Sequence, residues 1–129
     1  MGNSSPLDYK LKSVRSAAIL TNSYVAGTTI ENVHDMNQLN ILVSFTIGSL
    51  TTGDIKVEFS HDNTTFYQQA TISVSSGVIT TSLANYAFGA TGNYTLDIPI
   101  QARFIKISAK GTGTVTSSTM TIDATVGVR

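Results

Sequence analysis

Two histidines, His34 and His61, each stand directly before an aspartate, Asp35 and Asp62, and such pairs are raw material for metal sites and for general acid–base chemistry. Neither pair has the i, i+2 spacing on a strand or the i, i+4 spacing on a helix that aims two side chains at one ion. Both read as polar loop residues. Asp54, Asp62 and Asn63 offer oxygens suited to Ca²⁺, yet no stretch has the Asp-x-Asp-x-Asp-Gly order of a calcium loop. Paired-carboxylate hydrolysis requires two acids facing each other, and of the glutamates, Glu31 and Glu58, the second falls on an outward face between Val57 and Phe59. There is no cysteine and no Gly-x-Ser-x-Gly context to activate a hydroxyl. The glycines of Gly111-Thr-Gly113 join two strand-like runs, which suits a hairpin turn rather than a phosphate cradle. The expectation is a protein that is not an enzyme and uses no metal or cofactor.

Binding chemistry is the other resource. Tyr9, Tyr24, Tyr67, Tyr86, Phe88 and Tyr94 fall in or beside predicted loops, where rings either stack on a ligand such as a glycan or cap the ends of a core. Lys10, Lys12 and Arg15 form a small basic cluster. From these the candidate partner-binding residues are Tyr9, Lys10, Lys12, Tyr24, Tyr86 and Phe88. Eight basic side chains balance eight acidic ones, so no net field draws the chain to nucleic acid or to an anionic membrane. Sparse charge also lowers self-repulsion, which favours association into homo-oligomers. No run of about 18 apolar residues is present to span a bilayer. The first ten residues lack the apolar centre of a signal peptide, so synthesis and folding in a cytoplasm are expected. Asn3, Asn63 and Asn93 open Asn-x-Ser/Thr triplets, which in this setting are turn chemistry rather than glycosylation sites.

The elements that must carry these residues are strands. In Met120–Val128, the residues Met120, Ile122, Ala124, Val126 and Val128 alternate with Thr121, Asp123, Thr125 and Gly127, the period-two signature of a half-buried strand. Leu39–Ile47, Ile55–Phe59 and Ile105–Ile107 alternate in the same way. In the first of these, Leu42 interrupts the polar face, which marks a central strand. Further strands are predicted over 13–20, 28–33, 66–74, 78–83 and 94–100, with Pro99 confined to an edge, a bulge or a strand end. Residues 48–54 and 84–93 read as connections. Apolar residues at 41% suffice for a core, while charged residues at 12% are about half the usual share of roughly 25%. Thr and Ser, together roughly a quarter of the chain, supply the polarity and favour strands and turns over helices. The 129 residues fit one domain. The expected organisation is an N-terminal arm over 1–12 and a single all-β, antiparallel sandwich of about eight or nine strands over 13–129.

Two stretches carry a family likeness. Ile55-Lys-Val-Glu-Phe-Ser-His-Asp-Asn-Thr-Thr-Phe-Tyr67, a strand, a Ser-x-Asp-x-x-x-Phe hairpin and a second strand, together with Ile100-Gln-Ala-Arg-Phe-Ile-Lys-Ile107, resembles discoidin-like and carbohydrate-binding jelly-roll modules. Joined to the Gly-Thr-Gly turn and the Thr-rich terminal strand, the same pair resembles small structural proteins of tailed-bacteriophage virions, such as capsid decoration and head or tail accessory proteins. The likeness spans about residues 39–128 and implies a jelly-roll-like sandwich. A chain that opens on Met1, closes at Arg129 and contains no Trp is expected to be a free-standing virion component rather than a secreted lectin module. The resemblance then implies capsid or tail proteins as partners, docking through arm, loop tips or sheet edge, with glycan binding as the alternative.

Overall fold

The alternation read from the sequence becomes a division between wet and dry faces. The computed structural model describes residues 10–31, 33 and 35–128. Along the chain the strands are β1 (Lys10–Ile19), β2 (Val25–Ala26), β3 (Gln38–Thr46), β4 (Leu50–Ser60), β5 (Tyr67–Gln68) and β6 (Ala70–Ser75). They continue as β7 (Val78–Leu83), β8 (Tyr86–Phe88), β9 (Gly92–Pro99), β10 (Phe104–Gly113) and β11 (Thr119–Gly127). No helix occurs among the described residues. In β11, Met120, Ile122, Ala124 and Val126 are buried, while Thr121, Asp123 and Thr125 remain partly wet.

One sheet has the order β1-β11-β3-β9 and the second β2-β10-β4-β5, with β8 also paired to β4, all antiparallel. β5 pairs with β4 at Glu58 and Phe59, and β8 pairs with the same flank of β4 further along, at Gly53, Asp54 and Ile55. The two are therefore halves of one edge strand, interrupted by β6 and β7, which pair only with each other in the sheet order. Counting the halves as one strand leaves two four-stranded sheets between which the chain repeatedly crosses. That is the antiparallel β-sandwich of jelly-roll type.

Inward residues of both sheets form a single core, with Ile41, Val43 and Ile122 from the first and Ile55, Val57, Ile105 and Ile107 from the second, all nearly or fully buried. β3 is central, between β11 and β9. Pro99 ends the edge strand β9, where its missing N–H interrupts no ladder. The other edge of that sheet, β1, is irregular: its register slips on either side of Arg15, whose Nη2 donates to the carbonyls of Ala18 and Ile19 at 3.0 and 3.1 Å. Such bulges twist an edge away from further pairing.

Eleven strands are found where eight or nine were expected, because three of them, β2, β5 and β8, are only two or three residues long. Periodicity has no power over so short a run. β4 also begins at Leu50, inside the expected connection, and Tyr86–Phe88 forms strand within another. The predicted strand over 28–33 is reduced to a single bridge, Ile30 to Ile105. Of the expected arm, residues 1–9 lie outside the described residues and Lys10–Lys12 belong to β1.

Gly53 sits on β4 where a Cβ would stand 2.6 Å from the ring of the buried Phe45. The Gly53→Ala variant is expected to lose about 1–3 kcal/mol of stability by overpacking. Urea unfolding checks this, with a lower midpoint and an unchanged slope.

Candidate functional site

The sequence candidates scatter over the body. Tyr9 and His34 lie outside the described residues, and Lys10 opens β1. Lys12 is exposed beside a shallow hollow lined by Ser13 and residues 28–31. Phe88 is buried, its ring 4.6 Å from that of Tyr94 and 6.4 Å from that of Phe45. Tyr86 is half-buried and donates its hydroxyl to Gln69 Oε1 at 2.8 Å.

Tyr24 is drawn into a charged ladder on the outer face of the second sheet. Alternation on β4 turns Asp54, Lys56 and Glu58 away from the core, and the register sets Lys110 of β10 opposite Asp54 and Lys106 opposite Glu58. Glu58 Oε1 is 3.9 Å from both Lys56 Nζ and Lys106 Nζ. Lys56 and Lys110 place their ammonium groups 4.8 and 4.9 Å from the centre of the Tyr24 ring, and Lys106 lies 4.2 Å from that of Phe66. Asp54 accepts hydrogen bonds from Thr112 Oγ1 at 2.5 Å and Thr52 Oγ1 at 3.2 Å. Tyr24 donates to Asn85 Oδ1 at 2.9 Å, and burial, helped by the negative charge of Asp54, pushes its pKa up. The charges of this face are thus engaged with their own neighbours.

Asp62 is committed to a turn. Its Oδ1 accepts from the amides of Thr64 and Thr65 and from Ser60 Oγ, each at 2.9 Å, while Asn63 takes a left-handed conformation at φ 60°. Of the oxygens considered for calcium, that of Asp62 therefore closes the β4–β5 connection, while the Asp54 carboxylate is taken up by Thr52 and Thr112 within the sheet. Among the described residues no group of three His, Asp or Glu side chains is placed to hold a metal ion.

The feature with no internal explanation is the β6–β7 ribbon. The interrupted edge strand leaves β4 after Gln69, whose amide donates to the carbonyl of Val57 at 2.9 Å, and the base is closed by Ala84 N donating to Gln69 O at 2.8 Å. Gln68 Nε2 donates to Ala84 O at 2.8 Å and reinforces that closure. The turn at Ser76 and Gly77 has both residues at positive φ, 52° and 78°, the type I′ geometry whose twist suits a hairpin.

Pairing of Ile72 with Thr81 and of Val74 with Ile79 sorts the side chains by face. One face carries Ala70, Ile72, Val74, Ile79, Thr81 and Leu83, and the other Thr71, Ser73, Ser75, Val78, Thr80 and Ser82. This amphipathic ribbon has no core beneath it: every residue from 70 to 83 is exposed, with Ile72 at 70%, Val74 at 68%, Ile79 at 67% and Leu83 at 61%. Fully burying such side chains is worth about 1.5–3 kcal/mol each, and with about two thirds of each exposed the four hold roughly 4–8 kcal/mol that the isolated chain does not realise. A lone two-stranded hairpin is marginal in water.

No family model matches this sequence, and no curated protein matches it. The ribbon has a sequence signal that the strand patterns did not reveal. Between Asp62 and Asp97 there is not one Asp, Glu, Lys, Arg or His. Exposed strand edges usually carry charge, and this exposed, alternating pair of strands carries none.

The turn carboxylate yields a pH test. Hydrogen bonds from the Thr65 and Thr64 amides and from Ser60 lower the pKa of Asp62 from 3.8 to about 2. A depressed carboxylate stabilises the fold above its unfolded value, and that contribution is lost as pH falls through about 2. NMR titration is expected to find the carboxyl near that value. Asp62→Asn, which keeps the acceptor but cannot titrate, is expected to flatten the acid-side loss of stability seen in denaturant midpoints.

Proposed function

We propose that this protein is a non-enzymatic structural component of a virion, one that decorates or joins capsid or tail parts after synthesis in the host cytoplasm. The observation that carries the reading is the uncharged, solvent-exposed β6–β7 ribbon held on the edge of a well-packed sandwich. A rigid body that presents an apolar strand pair with two open edges is built to be completed by another polypeptide.

The fold adds support of a general kind, since double-sheet jelly rolls recur in viral capsid and lectin domains. Between those two uses the ribbon favours assembly. Sugar recognition calls for exposed rings beside fixed polar groups, whereas this surface offers aliphatic and hydroxyl side chains with unpaired backbone. Modest contacts repeated over a lattice of identical sites suffice for lasting attachment.

Mass spectrometry of particles purified from the source of this gene tests the proposal. The chain is expected in many copies per particle, and a variant carrying Ile72→Lys and Ile79→Lys is expected to be depleted from them. Absence of the wild-type chain from particles, with binding to a glycan array, overturns the structural role.

A further inference from the structure

The structural role leaves open what covers the ribbon, and we infer that a second copy of this chain does, through its own β6–β7 ribbon. This inference deepens the assembly reading above and rests on it.

The first argument is charge. Any surface that meets its own copy brings like charges together unless it has none, and the stretch from 63 to 96 has none. The neighbouring outer face carries Lys56, Lys106 and Lys110 with Asp54 and Glu58, engaged with one another and with the Tyr24 and Phe66 rings, and such a charged face offers an apolar ribbon no footprint.

The second argument is pattern. Among the described residues both outer edges of the ribbon are unpaired, and a two-fold axis normal to it pairs an edge antiparallel with its own copy, leaving Ile72, Val74, Ile79 and Leu83 of both copies on the same side. The hydroxyl face, with Thr71, Ser73, Thr80 and Ser82, stays compatible with water when the first face is covered.

The third argument is size. Strands of six residues make a ribbon about 20 Å long and about 10 Å wide. One face then covers on the order of 200 Å², well short of the roughly 800 Å² per partner of a standard specific interface. Face contact alone does not suffice, so the open edges must contribute. Two ribbons make a four-stranded unit, which passes the threshold of three or more strands with an apolar face that independent stability requires. The assembly is therefore one four-stranded sheet shared by two copies, joined by main-chain pairing at an open edge, with the apolar side chains of both ribbons side by side on one face.

Light scattering coupled to size exclusion on the intact chain tests the inference. Wild-type protein is expected at the mass of an oligomer. Ile72→Lys with Ile79→Lys is expected to reduce the mass about twofold or more, to that of one chain. Thr80→Lys, on the hydroxyl face, is expected to leave the mass unchanged, and circular dichroism melting verifies that each variant keeps its sandwich. A wild-type monomer, an oligomer indifferent to the paired substitution, or equal disruption by Thr80→Lys overturns the inference. The particle assay separates the two proposals: a monomer incorporated into particles in a ribbon-dependent way defeats self-pairing and leaves the structural role standing. An oligomer sensitive to the paired substitution but absent from particles does the reverse.

Discussion

Burial of the aliphatic side chains between the sheets is the interaction on which every other feature hangs. Ile55 and Val57 of β4 and Ile105 and Ile107 of β10 enter one cluster with Ile41 and Val43 of β3 and Ile122 and Ala124 of β11. Because side chains alternate along a strand, committing these residues inward commits their neighbours outward. Asp54, Lys56 and Glu58 face away from the core because Ile55 and Val57 face into it, and their cross-strand partners Lys110 and Lys106 do so because Ile105, Ile107 and Ala109 face inward, with Asp54 buried among its neighbours on that outer face. The charged ladder is a by-product of the core register. A slip of one residue between β4 and β10 would bury the ladder and expose the aliphatics, so packing and electrostatics select the same pairing.

That core also explains how the ribbon is tolerated. β4 needs a partner on the flank opposite β10, and two short segments, β5 and β8, are enough to supply it. The chain between them is free of any duty to the sandwich and makes its excursion from a fixed base at Gln69 and Ala84. Tyr86 and Phe88, read from the sequence as loop aromatics, take part in this arrangement: Phe88 fills the core end beside Phe45, and the Tyr86 hydroxyl holds Gln69 at the root of the ribbon.

Legibility in the sequence followed the physics of each signal. The long strands around Leu39–Ile47, Ile55–Phe59 and Met120–Val128 were readable because one face of each is buried throughout, which forces strict alternation. The class of fold followed from them. Two-residue β2 was not readable, since its pairing is dictated by its neighbour rather than by its own side chains, and the strand predicted over 66–74 did not show the break at Gln69 that divides it into β5 and β6. β6 and β7 were readable as strands, but alternation reports a face and not what covers it, so the pattern alone does not separate their exposed apolar positions from those of core strands. The charge-free interval from 63 to 96 contains the whole ribbon, but it also takes in β5, β8 and most of β9, which belong to the sandwich. Tyr24 was legible only as a loop aromatic, and its place between Lys56 and Lys110 depends on which strands the fold makes adjacent.

The form of the ribbon bears on how it works. A flexible loop carrying the same isoleucines and valines would lose conformational freedom on docking, at about 1–2 kcal/mol per residue of backbone. Here the turn at Ser76 and Gly77 and the register from Ala70–Leu83 to Ser75–Val78 set that backbone before any partner arrives. Binding then has only to dry a face and pair an edge, so most of the apolar gain survives as affinity. The same preorganisation carries a hazard, since open edges without charge also invite disordered association. Two features limit it: the strands are six residues long, which restricts how many hydrogen bonds an incorrect neighbour makes, and one face is lined mostly by hydroxyls. On the proposed structural role, a short ribbon with one apolar and one hydroxyl face favours association in one geometry over others, as a subunit that joins an assembly requires.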